Sequence, residues 1–193
     1  MKITKTKIPG NSLLFPNLGS YNYIDSYEGT VNDRNNVINI MDVGKAFFKP
    51  NPKWVDGLLI LRNKIVSLFG LKTTKNINNT EKPGKLKFEP GEHAGIFRVF
   101  DRTKDEIILG ENDKHLDFRL SLHLAEYKND PAKKVITATT VVKFNNWFGR
   151  LYFFPVKPFH KLIISITLKN DLQELELAIN SPSRQILVHE ANG

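Results

Sequence analysis

Apolar positions along the chain change their spacing repeatedly, and each change marks a change of backbone. Residues 1–20 carry no period; proline, glycine and asparagine punctuate them, and they read as an arm. Residues 21–31 alternate loosely and are rich in aromatic and β-branched side chains, which predicts a first strand. Val37, Ile40, Met41, Gly44, Phe47 and Phe48 then recur at threes and fours, with Asn32 or Asp33 as N-cap, so a helix follows; Pro50 and Pro52 stop it. A second helix is predicted over residues 53–69, with Trp54, Leu58, Leu61, Ile65 and Leu68 on one stripe and Gly70 ending it. Residues 72–95 are polar and broken by Gly and Pro, with room for a short strand at 86–88, and read as a loop.

From residue 96 the period shortens to two. Strands are predicted over 96–101, 106–111, 115–127 and 133–145, and the short separators between them carry turn residues, so the four form an antiparallel meander. In the third of these strands Leu116, Phe118, Leu120, Leu122 and Leu124 share one face, while His115, Asp117, Arg119, Ser121 and His123 share the other. The helical period returns after Asn145 or Asn146, either of which can cap it. Phe148, Leu151, Tyr152, Pro155, Phe159, Leu162, Ile163 and Ile166 make a wide apolar stripe on a helix over 147–169, about 35 Å long. Pro155 and Pro158 are interior to it, each costing about 3 kcal/mol, which predicts a bend near residues 154–158. A short helix over 172–179 and a polar tail broken at Pro182 complete the chain.

Composition narrows this to one α+β domain: 193 residues, 40% hydrophobic and 25% charged, suit a single core, with an arm at 1–20, the domain at 21–169 and an extension at 170–193. No cysteine is present, so disulfides, thiolate metal sites and cysteine nucleophiles are excluded. Lysines at 2, 5 and 7 have no apolar run behind them, so no secretory signal is read and a cytoplasmic location is expected. The greasiest stretch, 151–168, is interrupted by Lys157, His160 and Lys161 and is no membrane span. The net charge of +8 leaves anionic partners open, but the basic residues are scattered, without arginine runs or helix-turn-helix spacing, and nucleic-acid binding is not expected.

Candidate chemistry is sparse. His93, His115, His123, His160 and Asp117 offer metal ligands without a metal-binding spacing, so no metal and no cofactor are expected. Gly-x-Ser-x-Gly, phosphate-loop and dinucleotide-binding fingerprints do not occur. His115, Asp117 and Arg119, with His123 beyond them, are the most suggestive acid–base set. The face behind them is continuous Leu and Phe, which must be core, so this polar face is expected to look outwards to solvent or a partner. Phe118, Leu120, Leu122, Val142, Phe144, Phe148, Tyr152, Phe159 and Leu162 would line the space between sheet and helix, with His160 and Lys157 beside the bend.

The order strand, two helices, meander, long terminal helix is similar to the helix-grip architecture of the START-like (SRPBCC) superfamily. Three stretches carry a closer likeness: WVDGLLILRNKIVSLFGLK, FRVFDRTKDEIILGENDKHLDFRLSL and VVKFNNWFGRLYFFPVKPFHKLII. They resemble the bacterial domain of unknown function 2867, over about residues 21–169. That family occurs alone or joined to NAD(P)-binding epimerase-like domains, which implies an NAD(P)-binding protein as a separate partner chain. The resemblance implies a sheet wrapped around a kinked C-terminal helix, with two shorter helices after the first strand, and no agreed catalytic residues. A sheet gripping a helix makes a cavity. The leading expectation is therefore a binding domain for an apolar or amphipathic small molecule, with its polar end near His160. The alternatives are an enzyme using the same pocket for proton transfer or cyclisation, with Asp117, Arg119 and a histidine pointing inwards, and a protein or membrane-surface interaction module using the basic surface.

Overall fold

The structure is a computed structural model and describes residues 1–49, 86–94 and 97–179. Strands β1 (Thr4–Lys5), β2 (Tyr23–Asn32), β3 (His93–Ala94), β4 (Phe97–Arg102), β5 (Glu106–Asn112), β6 (Leu116–Glu126) and β7 (Lys133–Phe144) form one sheet in the order β1-β2-β7-β6-β5-β4-β3. Every pairing is antiparallel. Short turns make neighbours of β4 to β7, as the meander predicts; β2 then pairs with β7 along its whole length, from Tyr23 opposite Val142 to Asn32 opposite Lys133. That closing pair is long-range and has no local signal. The chain is thus α+β, an antiparallel sheet with a C-terminal helix.

Helix α1 (Ile40–Phe47) starts later than Asn32 or Asp33 would allow. Asn39 is its N-cap, accepting from the amides of Met41 and Asp42, while the Asp42 carboxylate accepts from the Asn39 amide. Asp33 instead folds the connecting loop: its buried carboxylate accepts from Val37 N (2.9 Å) and Ile38 N (3.0 Å). The short strand expected at 86–88 is absent. Phe88 there is fully buried with a positive φ of 56°, and it stacks on Phe48. Gly44 of α1 admits that ring, since a β-carbon would stand 2.8 Å from Phe88 Cζ. The helix expected over 53–69 lies outside the described residues.

Helix α2 (Trp147–Ile179) is capped by Asn146, whose side chain accepts from Gly149 N at 3.1 Å. It continues through Pro155 and Pro158 and past residue 169, so the short helix expected at 172–179 is its last turns. The carbonyls that the prolines leave without intrahelical partners belong to Leu151 and Phe154, both on the exposed side. The far half of α2 enters the core: Ile164, Leu168, Leu172 and Leu175 pack with Val43 of α1 and with Leu120, Leu122, Leu124, Ile136 and Ala138 of the sheet. Gly29 of β2 permits this, because a β-carbon there would collide with Leu172.

The opposite face of the sheet is covered too. After β1 the chain leaves the sheet edge and crosses that face as a strap ending in a 3-10 turn, Phe15–Ser20. Leu14 packs with Ile108 and Val141, and Ile8, Leu13, Leu18, Tyr21 and Phe100 surround them. Residues 1–20 are therefore an integral layer of the fold.

Candidate functional site

Alternation on β2 places Tyr23, Asp25 and Tyr27 on the face under α2, and the register sets Thr140 of β7 directly opposite Asp25. Over them α2 lays Phe153, Lys157 and His160. The Tyr23 hydroxyl donates to Asp25 Oδ2 at 2.6 Å, and His160 Nε2 lies 3.5 Å from Asp25 Oδ1. The Tyr23 ring meets Phe153 edge-on at 4.8 Å, Phe153 meets Phe144 at 5.5 Å, and Lys157 Nζ stands 5.2 Å from the Tyr23 ring centre. Burial, then the bond to Asp25, push the Tyr23 hydroxyl far above its ordinary range, so it remains a donor at any physiological pH.

Three polar atoms in this cluster, Asp25 Oδ1, Thr140 Oγ1 and His160 Nε2, are buried without a hydrogen-bond partner. Asp25 Oδ1 and His160 Nε2 face each other at 3.5 Å, an ion pair when the imidazole is protonated but no hydrogen bond, and Thr140 Oγ1 has no partner at all among the described residues; a buried polar group without a hydrogen bond costs about 1–3 kcal/mol. A carboxylate oxygen, a hydroxyl and an imidazole nitrogen together can both accept from and donate to a hydroxyl or amine. Asp25 also lines an open groove of about 340 Å³ at the sheet edge, where β1 ends, together with Lys5, Lys7, Phe15 and Ile24.

Of the apolar residues expected to line a pocket, Leu120, Leu122, Val142 and Tyr152 are buried between sheet and helices. Phe118, Phe144 and Phe148 are half-buried, against Phe97, Phe153 and His115 respectively. Phe159 and Leu162 are not on that side: they lie on the outer face of α2. The first half of α2 is apolar around most of its circumference, so spacing alone does not say which stripe turns inwards.

The polar candidates are dispersed. His115 joins the α2 cap, its Nδ1 about 3 Å from the Asn146 amide, and Asp117 accepts from Asn145 Nδ2 at 3.1 Å. Arg119 stacks on Phe100 at 3.5 Å and donates to Phe118 O and the Asn112 side chain, on the face away from α2. An inward-pointing set of Asp117, Arg119 and a histidine is thus not formed; of the polar candidates His115, Asp117, Arg119 and His160, His160 alone reaches the helix-side cluster. The polar face of β6 is also not solvated along its length. Ser121 and His123 are buried under the strap, where Glu106 accepts from Ser12 Oγ (2.6 Å), Leu13 N (2.7 Å) and Ser121 Oγ. Both ring nitrogens of His123 are buried there without a partner.

No motif or spacing singles out Tyr23, Asp25 and Thr140 in the sequence. Their signal is faint but present: an aspartate flanked at i±2 by tyrosines places one charge in an aromatic strand face. Among the described residues no cluster of three His, Asp or Glu side chains could hold a metal ion, and no helix is long and apolar enough to cross a membrane.

A family model described as "Protein of unknown function (DUF2867)" matches residues 17–166. The chain belongs to this family. The DUF2867 match contains all of Tyr23, Asp25, Thr140 and His160, whereas Ser12 and Leu13, which close the strap on Glu106, precede it. Comparison with curated proteins and with solved structures finds no match.

Proposed function

We propose that this DUF2867 domain binds an apolar or amphipathic small molecule between its sheet and α2, in the helix-grip manner of the START-like superfamily. The ligand's hydroxyl or amine end would sit among Tyr23, Asp25, Thr140 and His160. The reading rests on one observation: Asp25 Oδ1, Thr140 Oγ1 and His160 Nε2 lie buried beneath an aromatic roof without a hydrogen bond among them, the carboxylate and imidazole only facing each other at 3.5 Å. A polar head group would satisfy all three while its apolar body lies along Val142, Leu120 and Phe118.

Native mass spectrometry of the purified protein tests this, together with titration of fluorescent fatty-acid and sterol analogues. A bound adduct or saturable analogue binding is expected, weakened about three- to tenfold by Thr140→Val or His160→Gln, the loss of one hydrogen bond. Absence of both adduct and analogue binding, or equal affinity in both variants, would refute the reading.

A further inference from the structure

The first half of α2 presents a second apolar stripe, directed away from the sheet. Trp147, Leu151, Phe154, Pro158 and Leu162 follow one another at threes and fours, one above the next on the outer face. Trp147 is 73% exposed and Phe154 80% exposed, and Leu151, Pro158 and Leu162 are exposed as well. The stripe runs about 22 Å along the helix. Arg150, Lys157 and Lys161 form a row along one flank at spacings of seven and four, and no Asp or Glu occurs from residue 147 to residue 170. Among the described residues nothing in the sheet or in α1 packs on the stripe, which faces away from the Asp25 cluster; of its basic flank, Lys157 reaches back over the Tyr23 ring.

We propose that this face of α2 docks on an anionic lipid bilayer, lying parallel to the surface with its aromatic and aliphatic side chains in the interfacial layer. Three features select lipid over another macromolecule. The stripe carries a single hydrogen-bonding side-chain group, the Trp147 indole, whereas a protein interface of this size pairs several polar groups. Its tryptophan and phenylalanine, Trp147 and Phe154, are side chains that settle at the lipid–water boundary. Its flank is purely cationic, complementary to acidic head groups, within a chain of net charge +8. No ligand in the sheet–helix space is needed for this, and the proposal stands independently of the binding reading above.

The test uses the full chain with Trp54→Phe, which leaves Trp147 as its sole tryptophan, and vesicles of either phosphatidylcholine alone or phosphatidylcholine with phosphatidylglycerol. Co-sedimentation with the anionic vesicles and a blue shift of Trp147 emission are expected, both weakening with salt. Each cationic contact is worth about fivefold in vesicle affinity, so Arg150→Gln with Lys161→Gln should lose on the order of 25-fold. Phe154→Glu should abolish the blue shift while leaving the thermal unfolding curve in place, since the side chain has little to pack against. Failure to bind anionic vesicles, or binding unchanged by Phe154→Glu, overturns the proposal. Self-association lost in Phe154→Glu, seen without vesicle binding, also overturns it and assigns the face to a second copy of the chain.

Discussion

Glu106 is where the strap is fastened to the sheet, and removing its carboxylate should detach the strap before it unfolds the domain. The side chain is almost wholly buried and accepts from two hydroxyls and one amide, Ser12 Oγ, Ser121 Oγ and Leu13 N. The hydroxyls can rotate and reverse their roles; the amide cannot. In Glu106→Gln the remaining carbonyl oxygen can keep Leu13 N while the new amide donates to the serines, so a loss of about 1–2 kcal/mol is expected. Glu106→Leu leaves all three donors without an acceptor, at about 1–3 kcal/mol for each group that stays buried, and about 3–5 kcal/mol in sum once a hydroxyl finds a substitute. Lifting residues 8–18 off the sheet relieves that cost but uncovers Leu14, Ile108 and Val141, each worth about 1.5–3 kcal/mol of burial. Together these burial terms, about 4.5–9 kcal/mol, exceed the relief, so the leucine variant should open the strap as a minor state with the sheet intact, far more often than the parent chain does. Hydrogen exchange separates them: the amides of Leu13 and Leu14 should lose protection in Glu106→Leu while those of β6 and β7 keep theirs. Unchanged urea stability together with unchanged exchange at Leu13 would show that Glu106 does not hold the strap.

Three further changes test how α2 is seated. Gly149→Ala gains up to about 1 kcal/mol of helix propensity but drives a β-carbon into the His115 carbonyl, so net destabilisation is expected in thermal melts. Asn146→Ala removes both the cap of α2 and the partner of His115 and should cost about 1 kcal/mol or somewhat more in urea titration, with Asn146→Asp retaining most of it. Asp171 is buried in α2, and burial first, then the charge of Glu174, raise its pKa above the ordinary aspartate value. Its protonated form therefore favours folding below the unfolded-state pKa, and that contribution is lost as pH rises through the folded-state value. Asp171→Asn should be the more stable protein at neutral pH, with the gap closing below about pH 4, as urea midpoints across pH will report.

The meander and the start of α2 are legible because their signals are local. Alternation in β6 and turn residues between strands determine which side chains share a face, and Asn146 caps the helix where a helical period begins. The pairing of β2 with β7 has no such signal, and with it disappears any view of the Asp25–Thr140 juxtaposition, which exists only across that pair. His160 was readable as a polar group near the prolines, yet its partner lies 135 residues earlier in the chain. The side of α2 that turns inwards was not readable either, since Tyr152 and Phe153 on the buried side are matched by Leu151 and Phe154 on the exposed one.

The face of β6 opposite the leucines shows the limit of alternation most clearly. The pattern assigns His115, Asp117, Arg119, Ser121 and His123 to one face, and that assignment holds; polarity then suggests water above it. What lies there for Ser121 and His123 is the strap, a segment without period, whose contacts are a buried carboxylate and a small apolar cluster. A polar sheet face under a strap needs internal partners, and Glu106, Ser26 and Thr139 supply them: Ser26 and Thr139 bond to each other at 2.9 Å. The imidazole of His123 is the exception, buried without a partner beside residues that are all paired. His123 stands directly opposite Glu106, the residue that fastens the strap, so opening the strap should bring water to the imidazole and relieve that cost. His123→Leu should therefore strengthen strap closure, raising the exchange protection of Leu13, and protection that instead falls would mean the imidazole contributes to holding the strap in place.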